Sequence, residues 1–255
     1  MQAPLAVKED IRQKKLDSYW DNELNLVFND IAERYDSAND FFSFGLWSVM
    51  RRSFVGRVKL PEGAEVLDVC AGTNAVGIDL LAKNPSFKIT AIDRSEGMQR
   101  TGAIRAKEKG FKIKSVISDV HQLPFADETF DGATLEAATR HLEVKRVFEE
   151  IYRVLKPGGF FCHHDLVKPK NPVVAFFYYQ YLKVMIPITT FTFFRTKGLM
   201  GYRKSALKLR SYFIEAINFF YTSDELTEIL KEAGFREIEA KSTAGGTAAV
   251  HIAKK

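Results

Sequence analysis

The chain has 255 residues, of which 46% are hydrophobic and 27% charged, a balance that excludes disordered and fibrous classes and suits one sizeable globular unit with an appended lid. Its 37 Lys and Arg against 32 Asp and Glu leave a net charge of +5, too mild an excess to mark a nucleic-acid binder by itself. Two cysteines, Cys70 and Cys162, exclude a disulfide framework and a cysteine-based zinc module. They fit a reducing cytoplasm.

In chain order, the charged opening MQAPLAVKEDIRQKK has no apolar h-region, so no secretory signal is expected. Residues Ile11 to Tyr35 carry apolar positions at helical spacing and predict a helix; Trp47 to Val58 predicts another, with the turn-rich SANDFFSFG between them. After Pro61 short apolar runs alternate with helices. Strands are expected at 64–70, 88–93, 112–118, 130–135 and 159–166, with helices at 75–83, 96–109 and 144–155, the last stopped by Lys-Pro-Gly-Gly. Thr222-x-x-Glu225 reads as a capping box and Gly234 as a helix stop, followed by strands at 235–241 and 247–253. Alternation of this kind implies an α/β architecture: five parallel strands plus a terminal hairpin, a Rossmann-like sheet of seven strands covered on both faces. The expected division is a helical lid over 1–60 and a main domain over 61–255, with 171–220 inserted as a second lid before the last two strands.

The loop after the first strand carries the first chemical signal. Val66-Leu67-Asp68-Val69-Cys70 runs into Ala71-Gly72-Thr73-Asn74-Ala75-Val76-Gly77, a small-residue turn at the carboxyl edge, where doubly wound sheets bind nucleotides. Read as a dinucleotide fingerprint it fails at the middle glycine, which argues against NAD or FAD. Asn74 replaces that glycine and tolerates positive φ. Asp93 ends the second strand, where a carboxylate takes ribose hydroxyls, and Asp119 ends the third. Acids at successive strand ends suit a ligand with ribose and amino groups and no phosphates, although each alone is equally consistent with a helix cap.

The run 66–73, Asp93 with Ser95 and Met98, Asp119 with Leu123-Pro124-Phe125, Phe130-Asp131 and Tyr152-Arg153-Val154-Leu155-Lys156-Pro157-Gly158-Gly159 together resemble the class I S-adenosylmethionine-dependent methyltransferases. More narrowly, FNDIAERYDSAND from Phe28 to Asp40, Ser43-Phe44-Gly45 and the ending Gly245-Gly246-Thr247-Ala248-Ala249-Val250-His251 resemble the ubiquinone/menaquinone biosynthesis C-methyltransferases. That resemblance implies S-adenosyl-L-methionine as the cofactor. It implies contacts at Thr73, Asp93, Asp119 and Val120 within a cofactor set that also takes in Asp68, Gly72, Asn74 and Glu136. Glu136 stands where the family usually has Ser, and Asn74 where it usually has Gly; both are expected to border the donor pocket, Glu136 facing the sulfonium or ammonium, serving as a repurposed substrate group, or standing solvated at the start of a loop.

Methyl transfer to carbon needs an electron-rich ring, usually made by removing a proton from a ring hydroxyl, and alignment of that carbon with the methyl group. The family pattern, Arg-Asn after the fourth strand and Glu after the fifth, falls here on Arg140-His141 and Asp165. Arg140 is expected to stabilise a phenolate and His141 to act as base, while Tyr35 closes over the substrate. His163-His164-Asp165 tempts as a metal cluster, but alternation sends His164 to the opposite face, so no metal is expected. Cys70 and Cys162 are read as core, His121 and His251 as structural.

Residues 172–194 contain eight Phe or Tyr and the single charge Lys183. The stretch approaches span length, but Lys183 and Pro187 near its middle argue against a stable span and for a substrate lid or a face dipping into the interface. Residues 195–210 follow with six basic residues and no acid, which accounts for the chain's whole basic excess and suits reversible docking on an anionic bilayer. The expectation is thus a cytoplasmic transferase, peripheral at the inner membrane surface, that methylates a lipophilic small-molecule acceptor, by resemblance a prenylated quinol carbon, with no nucleic acid as partner and homodimer formation left open. Two alternatives stand beside it: phospholipid headgroup N-methylation, and a non-catalytic binding or assembly protein that keeps a degenerate pocket.

Overall fold

The computed structural model describes residues 5–19, 28, 29, 31–193 and 211–255. Seven strands form one mixed sheet in the order β3-β2-β1-β4-β5-β7-β6: β1 Glu65–Val69, β2 Lys88–Asp93, β3 Ile113–Ile117, β4 Phe130–Glu136, β5 Leu155–Leu166, β6 Arg236–Thr243 and β7 Ala248–Lys254. The first five run parallel, and β7 enters antiparallel between β5 and β6. This is the expected α/β sheet, and its central strands are apolar on both faces because helices cover both. Val66, Leu67 and Val69 are fully buried.

Helices α1 Leu5–Tyr19, α2 Tyr35–Phe42 and α3 Leu46–Arg57 precede the sheet; α4 Ala75–Lys83, α5 Glu96–Glu108 and α6 Val144–Val154 connect its strands; α7 Pro172–Phe193 and α8 Ser223–Glu232 lie between β5 and β6. Residues 211–218 are also helical. Each connector starts and stops for a local reason. Ser95 Oγ accepts the Met98 N–H and caps α5, Thr222 and Glu225 form the capping box of α8, and Gly234 ends α8 at φ +102. On α6, Val144, Val147, Phe148, Ile151 and Val154 share a face and are all fully buried. They join Phe161, Leu135, Leu226 and Leu230 in the main core, while Phe54, Val55, Val66, Leu80 and Ile89 form a second core on the α3 and α4 side.

Two readings of the N-terminal region change. The SANDFFSFG segment is not a turn throughout: its first half belongs to α2, and the reversal is confined to Ser43–Gly45, with Phe44 and Gly45 at φ 53 and 80. Ser, Asn and Asp favour turns, but here Asp40 accepts the Ser48 N–H at 2.9 Å, Ala38 is buried and Phe42 packs edge-on against Tyr181. Tertiary contacts outweigh weak propensity. Nor does one helix run from Ile11 to Tyr35, since a 3-10 turn at Ala32–Arg34 precedes α2. Helix α1 docks through Arg12, which donates to the backbone carbonyls of Arg140 and Leu142 at 3.3 and 3.2 Å and stacks over Phe220 and Tyr221.

Residues 172–193 form the aromatic helix α7 with Pro187 inside it, and no helix among the described residues is long and apolar enough to cross a membrane. The basic run 195–210 lies outside the described residues.

Candidate active site

A cavity of about 260 Å³ opens at the carboxyl edge of the sheet, lined by the ends of β1 to β4 and closed by residues of α1, α2 and α3. Parallel strands end their side-chain ladders together at this edge, which is why acids far apart in sequence converge. Asp68, Gly72, Thr73, Asp93, Asp119, Val120, Glu136, His141 and Tyr35 all line it. Arg140 and Asp165 sit behind its wall, and Asn74 does not reach it.

The end under β2 and β3 is locally organised. Gly72 N–H and Ser95 N–H donate to the two Asp93 oxygens at 2.9 and 2.8 Å, aiming the carboxylate while burial raises its pKa. At Asp119 burial pushes the same way, but the backbone and ring N–H groups of His121, at 2.8 and 2.6 Å, hold the carboxyl below its ordinary value. The Glu143 N–H donates to His121 Nε2 at 3.1 Å, so the ring proton sits on Nδ1 and points at Asp119. His121 is structural as expected, yet it belongs to the cavity wall.

Asn74 holds the turn at φ 57, as its tolerance of the left-handed region allows. Its side chain turns away from the cavity into α5, where Oδ1 accepts from Gln99 Nε2 at 2.9 Å and the amide fills the space over Gly102, whose Cβ would come within 2.7 Å of it. Asn74 therefore does not border the pocket. Gln99, which the motifs did not flag, also donates to the Gly72 carbonyl at 3.0 Å and braces the loop from behind.

The other end is built across the fold. Asp36, next to Tyr35 in the same R-Y-D segment, accepts from Thr73 Oγ1 at 2.6 Å, from Arg51 at 3.4 Å and from Arg105, tying α2 to the loop, α3 and α5. Arg51 also pairs with Asp79 at 2.9 Å. Neither residue was singled out from the sequence; the signal was an acid adjacent to a family aromatic. Asp68 is fully buried, accepts from Thr134 Oγ1 at 2.7 Å and Gly77 N–H at 3.2 Å, and is pushed up to about 7, chiefly by burial. Glu136 is not a solvated loop acid: its side chain is 9% exposed, with Oε1 3.1 Å from His164 Nδ1.

Behind this wall Arg140 pairs with the fully buried Asp165, which also accepts the Arg140 and Leu166 N–H groups at 3.2 and 2.7 Å. His141 stacks on Tyr212 with Nδ1 2.6 Å from its hydroxyl, and burial, reinforced by Arg140 and Arg12, holds its pKa well below the ordinary value. An imidazolium there would sit between two guanidinium groups, so His141 is a poor proton acceptor and the base expected at this position is corrected to a neutral wall residue. His163 and His164 fall on opposite sides of β5, His163 against Phe148 and His164 against Phe54, and no group of three metal-ligand side chains occurs among the described residues. Cys162 is core; Cys70 touches the cavity, and burial raises its thiol well above the ordinary value, so neither is a nucleophile.

These residues fit an S-adenosylmethionine-type ligand. Gly72, at φ +51, has nothing within 4 Å of the place its Cβ would take, so the bare backbone faces open cavity; acids stand ready for ribose and amino groups, and among the described residues the lining cations are Arg51, bound to Asp36 and Asp79, and Arg94.

Residues 16–255 match the family model described as the ubiE/COQ5 methyltransferase family. A demethylmenaquinone methyltransferase of Symbiobacterium thermophilum is 33% identical over 233 residues, covering 90% of this chain and 91% of that one. A ubiquinone/menaquinone biosynthesis C-methyltransferase of Rickettsia bellii is 30% identical, covering 91% and 92%. Among solved structures, a SAM-dependent methyltransferase from Aquifex aeolicus superposes with a TM-score of 0.55 at 21% identity, covering 80% of this chain and 88% of that one.

Proposed function

Because the chain belongs to the ubiE/COQ5 methyltransferase family and is an S-adenosylmethionine-dependent methyltransferase, we propose that it methylates a ring carbon of a prenylated quinol or quinone precursor. The names of its relatives favour this over phospholipid N-methylation and over a non-catalytic binding role. The observation that carries the acceptor reading is the family match over residues 16–255, with Tyr35 and His141 lining the cavity at the positions that the family pattern assigns to the acceptor.

When bound, the donor supplies a methyl group activated by a positively charged sulfur. The chain supplies placement. Asp93 and Asp119 hold the ribose and base, Gly72 and Thr73 the backbone side of the ligand, and Val120 packs the base edge. Arg140, paired with Asp165 behind the wall, adds a buried positive charge next to Tyr35 on the acceptor side without itself lining the cavity. Tyr35, half-buried on the cavity wall with its hydroxyl pKa raised, closes the acceptor side from the N-terminal helices, which act as the lid. Closure keeps water from the reacting carbon.

The acceptor is lipophilic, and the outer surface suits delivery from a bilayer at the cytoplasmic face. Val173, Phe176, Phe177, Val184 and Phe191 of α7 are exposed, and so are Phe44, Leu46 and Val49 at the start of α3. The two groups are neighbours, since Phe44 lies 6.3 Å from the Tyr181 ring of α7 and Phe41 lies 5.4 Å from Phe193. An apolar face of this extent on an otherwise charged protein marks an interaction site, and six basic residues follow it in sequence.

Incubation with methyl-labelled donor and a total bacterial lipid extract tests the acceptor. Label on the ring of a quinone-fraction lipid is expected; label in a phospholipid headgroup overturns the reading.

A further inference from the structure

Charge on the cavity walls is unevenly satisfied. Asp36 is held by Thr73, Arg51 and Arg105, Asp93 by two backbone N–H groups, Asp119 by His121 and Glu143 by Arg146 at 4.0 Å. Asp68 and Glu136 differ. Among the described residues neither has a Lys or Arg nitrogen within 4.0 Å; Asp68 has only Thr134 and Gly77, and Glu136 only His164.

These two acids come from adjacent strands, where Val69 pairs with Leu135, and both line the cavity. They are close enough for Glu136 to add to the rise in the Asp68 pKa. Strand order places them. Along β3-β2-β1-β4, Asp119 and Asp93 stand on one side of β1 and Glu136 on the other, so a ligand with its base over β3 and its sugar over β2 presents its sulfur-bearing end toward β1 and β4. Two acids on neighbouring strands with no Lys or Arg nitrogen within 4.0 Å among the described residues are costly to bury. A cationic ligand group is what offsets it.

We infer that the Glu136 carboxylate is a charge-selective contact for the sulfonium of the methyl donor, one that favours the donor over the neutral thioether product. This inference rests on the S-adenosylmethionine reading of the cavity. Transfer breaks the sulfur–methyl bond and forms the carbon–methyl bond; the bonding pair stays on sulfur, the ring gives up one proton, and sulfur becomes uncharged. The ammonium and carboxylate of the amino-acid end are common to donor and product, so only a group that feels the sulfur can tell them apart. His164, the residue paired with Glu136 across β4 and β5, holds the carboxylate in place at 3.1 Å. Arg51, which lines the same cavity, feels the Glu136 charge, but its hydrogen bonds go to Asp36 and Asp79. The effect of Glu136 is thus to let the donor outcompete the spent product and so limit product inhibition.

Titration calorimetry on the full chain separates the cases, with three probes: S-adenosylmethionine, S-adenosylhomocysteine and sinefungin, which carries an amine where the donor carries sulfonium. In Glu136→Gln the affinity for S-adenosylmethionine and for sinefungin is expected to fall about tenfold, and that for S-adenosylhomocysteine by less than about twofold. Glu136→Ser, which also removes the bulk, should show the same split, and equal thermal midpoints with the parent would show that folding is not the cause. Equal losses for all three probes would place the carboxylate at the shared ammonium and overturn the inference, as would unchanged affinities. If the parent protein binds none of the three at millimolar concentration, it is the donor reading itself that fails.

Discussion

The two ends of the cavity are made in different ways. Under β2 and β3, the acids are aimed by backbone N–H groups of the loops at that edge: Ser95 and His121, each two positions from its acid, and Gly72 at the end of the neighbouring strand. Under β1 and β4, every feature needs a partner far away in sequence. Asp36 meets Thr73 and Arg105, Arg140 meets Asp165, His141 meets Tyr212, and Glu136 meets His164. The first end is preorganised by strand–loop–helix geometry and needs little else. The second exists only when the N-terminal helices, β5 and the 211–218 helix have all docked, so substitutions there should cost both stability and function.

The largest effect is expected from Arg140→Ala, which strands the fully buried Asp165 without its cation. Loss of about 3–5 kcal/mol of stability, read by chemical denaturation, should accompany loss of methyl transfer; a variant as stable as the parent would show that the second end is not cooperatively built. Asp36→Ala comes next, since it releases Thr73 and leaves Arg51 and Arg105 without their shared carboxylate. Arg105 is about one third exposed and solvent screens it, so about 2 kcal/mol is expected, together with weaker donor binding by calorimetry.

At the first end, Gly102→Ala should cost about 1–3 kcal/mol by overpacking against Asn74. Adding Asn74→Gly should restore part of it, the remainder being the clash with the Thr73 backbone carbon at 2.8 Å; no rescue at all would remove Asn74 from its place against α5. Asp68 offers a pH test. Its folded pKa, about 7, lies above that of an unfolded aspartate at about 3.9, so between those values the folded state binds the extra proton. Its contribution is present below about pH 4 and is lost as pH rises through about 7. Asp68→Asn, which cannot titrate, should therefore gain stability relative to the parent between pH 5 and pH 8 in denaturant melts; a constant difference would contradict the burial assigned to Asp68.

The smallest stability change belongs to the outer face. Phe177→Ser, at a side chain 65% exposed, should shift stability by no more than about 0.5 kcal/mol while reducing sedimentation with anionic vesicles. Unchanged vesicle binding by a variant that also carries Phe44→Ser and Phe176→Ser would refute the membrane-facing reading.

The difference between the two ends also explains what was readable in advance. Strand and helix positions from Ala64 to Leu166 followed from apolar runs and caps, and Asp93 and Asp119 from their place at strand ends, because each depends on residues a few positions away. The α2 helix did not, since Ser-Ala-Asn-Asp is a turn former until Ala38 and Phe42 find their packing. His141 was read as a base from its unperturbed chemistry; burial, reinforced by the adjacent Arg140 and by Arg12 of α1, works against that. Asn74 was placed in the pocket by its motif position, but the space over Gly102 draws its side chain to the other side of the loop.

By itself the sequence determined the sheet, its order of strands and helices, the family, and the acids of the first end, since period, capping and motif spacing are local properties. Only the tertiary structure decided which charges are neutralised: it joined Asp36 to three partners, sealed Arg140 against Asp165, and left Asp68 and Glu136 with no Lys or Arg nitrogen within 4.0 Å among the described residues. Burial and pairing depend on what the folded chain brings within a few ångströms, and electrostatic energies at those distances are set by the partner and the medium rather than by the residue type.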